Sequence, residues 1–304
     1  LGVVCKQFPR YSEYYGTIKE SGIGLACEEA ARIILSENRP FSMETAACDE
    51  EYEPSSEYDS SFALQIFAAR EAVFKILAKE SLSIHEKLIV ILDMGSKIQQ
   101  CINTDEYDNI KSVVNDYLKE GIAHTLDETR NLSDSGQFED ISLQQGIRQI
   151  LYPYEEMEVL NPEWEVILKD IIDSLFEQMS DEEYNILNEE FGTYMVSRAY
   201  EYRQLLEYLV FRYFAKSIYD YDFLGKCQML VTNFFVIRQM DIIRWLDNHR
   251  EYSFKDRMDV VHIFSRQVEY SEDNIENLYE DFIFDDIFKT DSLIAILWID
   301  SENI

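Results

Sequence analysis

From Ser61 onward the apolar residues fall at helical spacing with few interruptions. Phe62, Ile66, Phe67, Ala69, Val73, Phe74 and Leu77 recur at i, i+3 and i+4 and mark one face of a helix that begins near Ser61. Ser83-Ile84-His85-Glu86 reads as a capping box, and the apolar run Leu88 to Leu92 behind it predicts a deeply buried helix. Ile110, Val113, Val114, Tyr117 and Leu118 predict another helix starting near Thr104. Asp127 to Asp140 then turns polar around Gly136, the best internal boundary.

The carboxy-terminal half keeps the same period. Ile141 to Leu151 forms a short helix stopped ahead of Pro153, and Asn161-Pro162-Glu163 opens the next with a capping residue, proline at the first position and an acid for the dipole. Ser180 to Glu183 is a second capping box. Two long apolar helices, Tyr194 to Tyr219 and Phe223 to His249, suit an antiparallel pair, and Ser253 to Val268, Glu272 to Phe284 and Thr290 to Ile299 supply three more.

Residues 1–23 lack periodicity and read as an irregular arm packed on the body. A helix from Leu25 to Glu37 follows, ended by Asn38-Arg39-Pro40. Asp49, Glu50, Glu51, Glu53, Glu57 and Asp59 then form an acidic loop without a base. No Asn-Gly or Asp-Gly turn sits between alternating runs, so no strand pair is expected. The expected fold is all-α, an irregular multi-helical bundle of antiparallel helix pairs. It divides into 1–60, 61–130 and 141–304, with the last two able to form one continuous domain.

Charge narrows the partners. The 304 residues hold 59 Asp and Glu against 27 Lys and Arg, a net of −32, while 46% of residues are apolar, enough for a substantial core. Such a field repels nucleic-acid phosphates and anionic membrane surfaces and attracts a protein with exposed lysines. The longest uncharged stretch, Cys227 to Ile237, is far short of the roughly 20 residues that span a bilayer. Cysteines at 5, 27, 48, 101 and 227 are odd in number and widely spaced, which points to a reducing cytoplasm rather than a disulfide framework.

Chemistry concentrates at the front. Cys5 opens Cys5-Lys6-Gln7-Phe8-Pro9-Arg10-Tyr11, and Cys27 follows Gly22-Ile23-Gly24-Leu25-Ala26 at a helix start, where unpaired N–H groups and the dipole favour a thiolate. Gly22-Ile23-Gly24 has neither a preceding strand nor a third glycine, which argues against a Rossmann-type methyltransferase. The four histidines show no zinc-ligand spacing, and each reads as a surface or satisfied helix histidine. Arg212 is the only charge between Tyr208 and Ala215, so it needs a carboxylate or an aromatic face. Asp220, Asp222 and Glu269 are its candidate partners, Glu269 lying three residues after Arg266.

The cysteine-Lys-x-x-Pro-Arg stretch and the Leu25-Ala26-Cys27-Glu28-Glu29-Ala30-Ala31-Arg32 helix start resemble the flagellin lysine-N-methylase family. Glu207 to Phe214, Tyr219 to Asp222 and Ser265 to Asn274 resemble the carboxy-terminal half of clostridial-type members. The resemblance implies methyl transfer from S-adenosylmethionine to lysines of flagellin. It also implies an iron–sulfur cluster held in part by a cysteine-rich segment ahead of the matched stretch. This sequence starts four residues before Cys5, with leucine, and reads as a fragment whose cluster site is incomplete, so neither group is expected bound to this chain. Cys5 and Cys27 are the metal candidates, and Arg10, Glu28, Arg32, Arg212, Asp220, Arg266 and Glu269 the pocket candidates. For Arg10 the competing reading is a plain ion pair with Glu13, Glu20, Glu28 or Glu29. For the whole chain it is an acidic helical scaffold that binds a basic partner and does no chemistry.

Overall fold

The computed structural model describes residues 8–47, 59–134 and 141–302, and helices dominate them. Residues 10–23 of the arm form a hairpin rather than irregular structure. Strands β1 (Arg10–Tyr15) and β2 (Ile18–Ile23) pair antiparallel, from Tyr15 opposite Ile18 to Arg10 opposite Ile23. Their turn is Gly16-Thr17, with Gly16 at φ 60°, a conformation open to glycine without strain. The expectation of no strand pair failed because glycine takes the first central position here, outside the Asn-Gly and Asp-Gly patterns.

Helix α1 (Glu28–Leu35) follows, then α2 (Ser60–Leu77) and α3 (Ile84–Asn103). The Asp59 carboxylate accepts from the Ser61 and Phe62 N–H groups and starts α2; the rest of the acidic loop, from 49 to 58, lies outside the described residues. The expected face of α2 is buried, with Phe67 half-buried, and the Ser83–Glu86 capping box opens α3. Helices α4 (Ile110–Asp116) and α5 (Ile122–Asp134) join through a π-helical turn at Tyr117–Gly121. Helix therefore continues through Asp127–Asp134, where a boundary was expected, while 135–140 lie outside the described residues.

Helix α6 (Leu143–Glu155) runs past its expected stop and contains Pro153. In the last turn a proline removes few ladder bonds, and burial of Leu151, Pro153 and Tyr154 outweighs that loss. The remaining helices are α7 (Pro162–Ile171), α8 (Asp181–Met195), α9 (Ala199–Tyr213), α10 (Ser217–Asp220), α11 (Phe223–Asp247), α12 (Phe254–Phe264), α13 (Glu272–Phe284) and α14 (Thr290–Glu302). Asn161 caps α7 and the Ser180–Glu183 box caps α8, as their sequences predict. Tyr221 at φ 57° reverses the chain between α10 and α11. Phe214 meets Phe223 and Tyr202 meets Phe234, so α9 and α11 run antiparallel.

Helix α11 is buried on nearly every side and packs against α3, α6, α7, α9, α12 and α13. One apolar core spans the molecule from Tyr15 to Trp298. Among the described residues no helix is long and apolar enough to cross a membrane.

Polar residues inside this core come in bonded sets. Asp300 on α14 is fully buried, accepts from His85 Nε2 at 2.6 Å and Asn188 Nδ2 at 2.5 Å, and lies 3.8 Å from Arg238. Burial pushes its carboxyl up, but Arg238, His85 and Asn188 together hold it down at about 2. A second set centres on Asp241, which accepts from Tyr202, Tyr252 and Arg257, while Arg257 also bonds Glu201 at 3.0 Å.

Two outcomes follow for Asp300. Its replacement by alanine strands buried Arg238 and His85, and urea unfolding should show a loss of about 3–5 kcal/mol. Because its folded pKa is depressed, its stabilisation is complete above the unfolded aspartate value. It is lost as pH falls from about 4 towards 2. Over that window the stability of Asp300→Asn should fall less steeply than that of the wild type.

Candidate functional site

The hairpin lies against the carboxy-terminal half of α9, and a knot of rings and charges joins them. Tyr11 on β1 crosses to β2, where an added Cβ at Gly22 would sit 2.6 Å from Tyr11 Oη; only glycine leaves room for the ring. The Arg212 guanidinium stands 4.4 Å from the centre of that ring. Arg212 Nε lies 3.0 Å from both Glu269 Oε2 and Tyr213 Oη. Tyr208 and Tyr213 donate to the same Glu269 oxygen at 2.8 and 3.1 Å, and the Tyr208 hydroxyl also lies 3.5 Å from the Leu25 amide.

Tyr208 and Arg212 are four residues apart, one turn of α9, so one helical face presents both. Glu269 is the last residue of a π-helical turn, Ser265–Glu269, that continues α12. Such turns insert a residue and re-aim side chains, often at functional sites. Burial and the Glu269 charge push both phenols well above the tyrosine value, which keeps them neutral donors. Burial opposes the Arg212 charge, yet Tyr213, Glu269 and Tyr208 hold its pKa above the ordinary arginine value. Glu269 Oε1 is buried with no hydrogen-bond partner among the described residues.

Beside the knot runs an open groove. Cys27 is half-buried at the N-cap of α1, with no side-chain cap bond, and α1 packs between α9 and α12. Two adjoining hollows of about 520 and 580 Å³ share His262 and Arg266. Ala26 and Tyr270 bound the first, and Glu28, Glu163, Arg244 and Asp259 the second. His262 Nδ1 is buried without a partner among the described residues. The phenol of Tyr270 is raised by burial against Arg212, and both Glu269 and Cys27 add to the rise, so Tyr270 stands within reach of knot and groove alike.

The structure sorts the candidate residues into three places. Arg212 and Glu269 meet in the knot; Glu28 and Arg266 line the groove beside Cys27. Arg10 and Arg32 are exposed, Arg32 paired with Glu29 at 2.6 Å, the plain local ion pair. Asp220 does not reach Arg212; it accepts from buried Lys226 at 2.7 Å, because Tyr221 turns the chain toward α11. Nor does Arg266 bond Glu269, which the π-helical turn directs inward while Arg266 stays exposed. Cys5, and with it any convergence on Cys27, lies outside the described residues. Cys101 and Cys227 are buried in the core, and among the described residues no group of three or more Cys, His, Asp or Glu is placed to hold a metal. The described residues do not assemble an iron–sulfur site.

Four participants escaped the sequence reading. Tyr11 was hidden with its strand, and Tyr208 and Tyr213 stand in an apolar run whose sequence gives no sign of a shared acceptor. His262 stands four residues before Arg266, a same-face spacing visible in the sequence but unremarkable without the groove.

Loss of the knot's carboxylate has a measurable cost. Glu269→Ala leaves Arg212 unpaired in a mostly closed site and should destabilise by about 3–5 kcal/mol in urea unfolding. Glu269→Gln keeps an acceptor for both phenols and should cost about 1–3 kcal/mol.

Searches of curated proteins and of solved structures returned no match. Residues 70–296 match the model described as the FliB lysine N-methylase C-terminal domain, a span that takes in α9, the knot's Arg212 and Glu269, and Arg266 of the groove. That span is well over half of the sequence, and the chain belongs to the FliB lysine N-methylase C-terminal domain family.

Proposed function

We propose that this chain is the body of a protein-lysine N-methyltransferase that acts on flagellin, with S-adenosylmethionine as methyl donor, in a reducing cytoplasm. The family match over 70–296 carries the reading. The groove beside Cys27 supports it, because its residues fit the donor's polar groups. Arg266 and Arg244 suit a carboxylate, while the unpartnered His262 Nδ1 and the Glu28 carboxylate suit amine or hydroxyl donors. When bound, S-adenosylmethionine supplies a methyl group on a sulfonium sulfur. The chain's own residues hold the donor's ends and keep the Glu269 charge compensated by Arg212.

A lysine amine must lose its proton before its lone pair can accept a methyl group. Burial and nearby cations favour that loss. The net charge of −32 draws a lysine-bearing protein towards the surface.

The test incubates the full chain with flagellin and S-adenosylmethionine, as purified and after anaerobic reconstitution with iron and sulfide, and reads methyllysine by peptide mass spectrometry. Methyllysine in either preparation supports the reading, and Arg266→Ala should weaken S-adenosylmethionine binding about tenfold. Flagellin binding without methyl transfer or S-adenosylmethionine binding in both preparations overturns it in favour of the acidic scaffold.

A further inference from the structure

The two hollows beside Cys27 differ in their walls. The larger, of about 580 Å³, carries three carboxylates, Glu28, Glu163 and Asp259, together with Arg244 and Arg266. None of these five side chains is hydrogen-bonded or ion-paired within the described residues, so their charges are left for water or a ligand. The smaller, of about 520 Å³, carries no carboxylate among the described residues that line it. Phe8, Leu160 and Tyr270 stand around it, 46%, 41% and 51% exposed, so three large apolar or aromatic side chains meet solvent at one place.

Helix α12 and its π-helical continuation carry the wall between them. Asp259, His262 and Arg266 follow one another at steps of three and four residues, the spacing that keeps side chains on one helical face. His262 and Arg266 border both hollows, whereas Asp259 borders only the larger. A side chain that enters between Phe8, Leu160 and Tyr270 therefore ends at His262 and Arg266, with the Asp259 carboxylate one turn away. Such an occupant is apolar along its length and brings N–H donors at its tip.

We infer that the smaller hollow admits the acceptor lysine of the protein substrate, its aliphatic stem between Phe8, Leu160 and Tyr270 and its amine at the shared wall, with Asp259 as its carboxylate. The inference rests on the methylase reading above. The polar ends of the donor find carboxylate and guanidinium partners together only in the larger hollow, so donor and amine meet where His262 and Arg266 border both. An ammonium at that wall shares Asp259 with two guanidinium groups, Arg244 and Arg266. The competition favours the neutral amine, whose lone pair can accept a methyl group. The open mouth suits a side chain presented on a protein surface, and the net charge of −32 draws lysines towards it.

The test titrates the full chain with N-acetyl-lysine methylamide and with its norleucine counterpart, which keeps the stem and lacks the amine, following binding by NMR. Each titration is run with and without S-adenosylhomocysteine, which keeps the donor's polar ends and has no methyl group to give. The lysine probe should bind about tenfold more tightly than the norleucine probe, and S-adenosylhomocysteine should leave it bound. Asp259→Asn should remove most of the preference for lysine. Leu160→Trp, a change at the exposed rim, should weaken both probes about tenfold or more and leave S-adenosylhomocysteine affinity unchanged. Equal affinity for the two probes, no binding of the lysine probe, its displacement by S-adenosylhomocysteine, or unchanged lysine binding in Leu160→Trp would each overturn the inference. None of these readouts needs methyl transfer. Lysine discrimination in a chain that binds no S-adenosylhomocysteine leaves the hollow standing and the methylase reading fallen, whereas methylation of flagellin with unchanged KM in Leu160→Trp does the reverse.

Discussion

A helix enclosed on nearly every side loses water as a hydrogen-bond partner, and α11 carries many polar side chains that draw on neighbouring helices instead. Lys226, Gln228, Asn233, Arg238, Gln239 and Asp241 are all buried along it. Each reaches a different neighbour: Lys226 finds Asp220, Gln228 the Phe288 carbonyl, and Asn233 the hydroxyl of Tyr154. Arg238 takes Asn188, Gln239 takes Tyr184, and Asp241 takes Tyr202 and Arg257. Apolar contact alone would let the surrounding helices slide or rotate at small cost, since dispersion is not directional. Hydrogen bonds at fixed heights along α11 remove that freedom, because a slipped register would leave buried groups unpaired at about 1–3 kcal/mol each. The bundle is thus registered from its axis outward.

The candidate site inherits its geometry from that registration. Helix α9 is pinned to α11 through Tyr202 and Asp241, and α12 through Arg257 and the same carboxylate. Those two bonds fix the distance between the helices that carry Arg212 and Glu269. The hairpin and α1 then dock on the result, by Tyr11 over Arg212, by Leu25 near Tyr208, and by Glu20 paired with Arg70 of α2 at 2.5 Å. Cys27 owes its place at the groove to this docking, for α1 alone is only eight residues long and too short to hold itself.

Helix positions were legible because burial on one face imposes a period that survives into the sequence; α13 matches its expected bounds, and both expected capping boxes are formed. What stayed hidden lies where tertiary contacts override local rules. Pro153 stays in its helix because its neighbours are buried, and the hairpin forms around a glycine whose role depends on φ rather than on a dipeptide pattern. That Arg212 needs a partner could be argued from its apolar neighbours. Which acid supplies it could not, since Glu269 is 57 positions away while Asp220 is near in sequence yet turned off by Tyr221. Acceptors without donors, such as Gln204 Oε1 and Glu269 Oε1, have no sequence signature at all.

Charge separates cleanly between interior and surface. Among the described residues Arg70, Lys87, Lys226, Arg238 and Arg257 are buried, and so are Glu201, Glu207, Asp241, Glu269 and Asp300, a matched number of each sign. The interior is therefore close to neutral, as the cost of uncompensated buried charge requires. The net of −32 then belongs to the outside. A field of that sign is felt by a basic partner before contact and weakens as salt shortens the Debye length to about 8 Å at physiological strength. Charge pairing continues at the buried margins, where Arg203 bonds Glu207 at 2.8 Å and Arg212 lies 3.0 Å from Glu269, so the acidic excess stays on exposed faces.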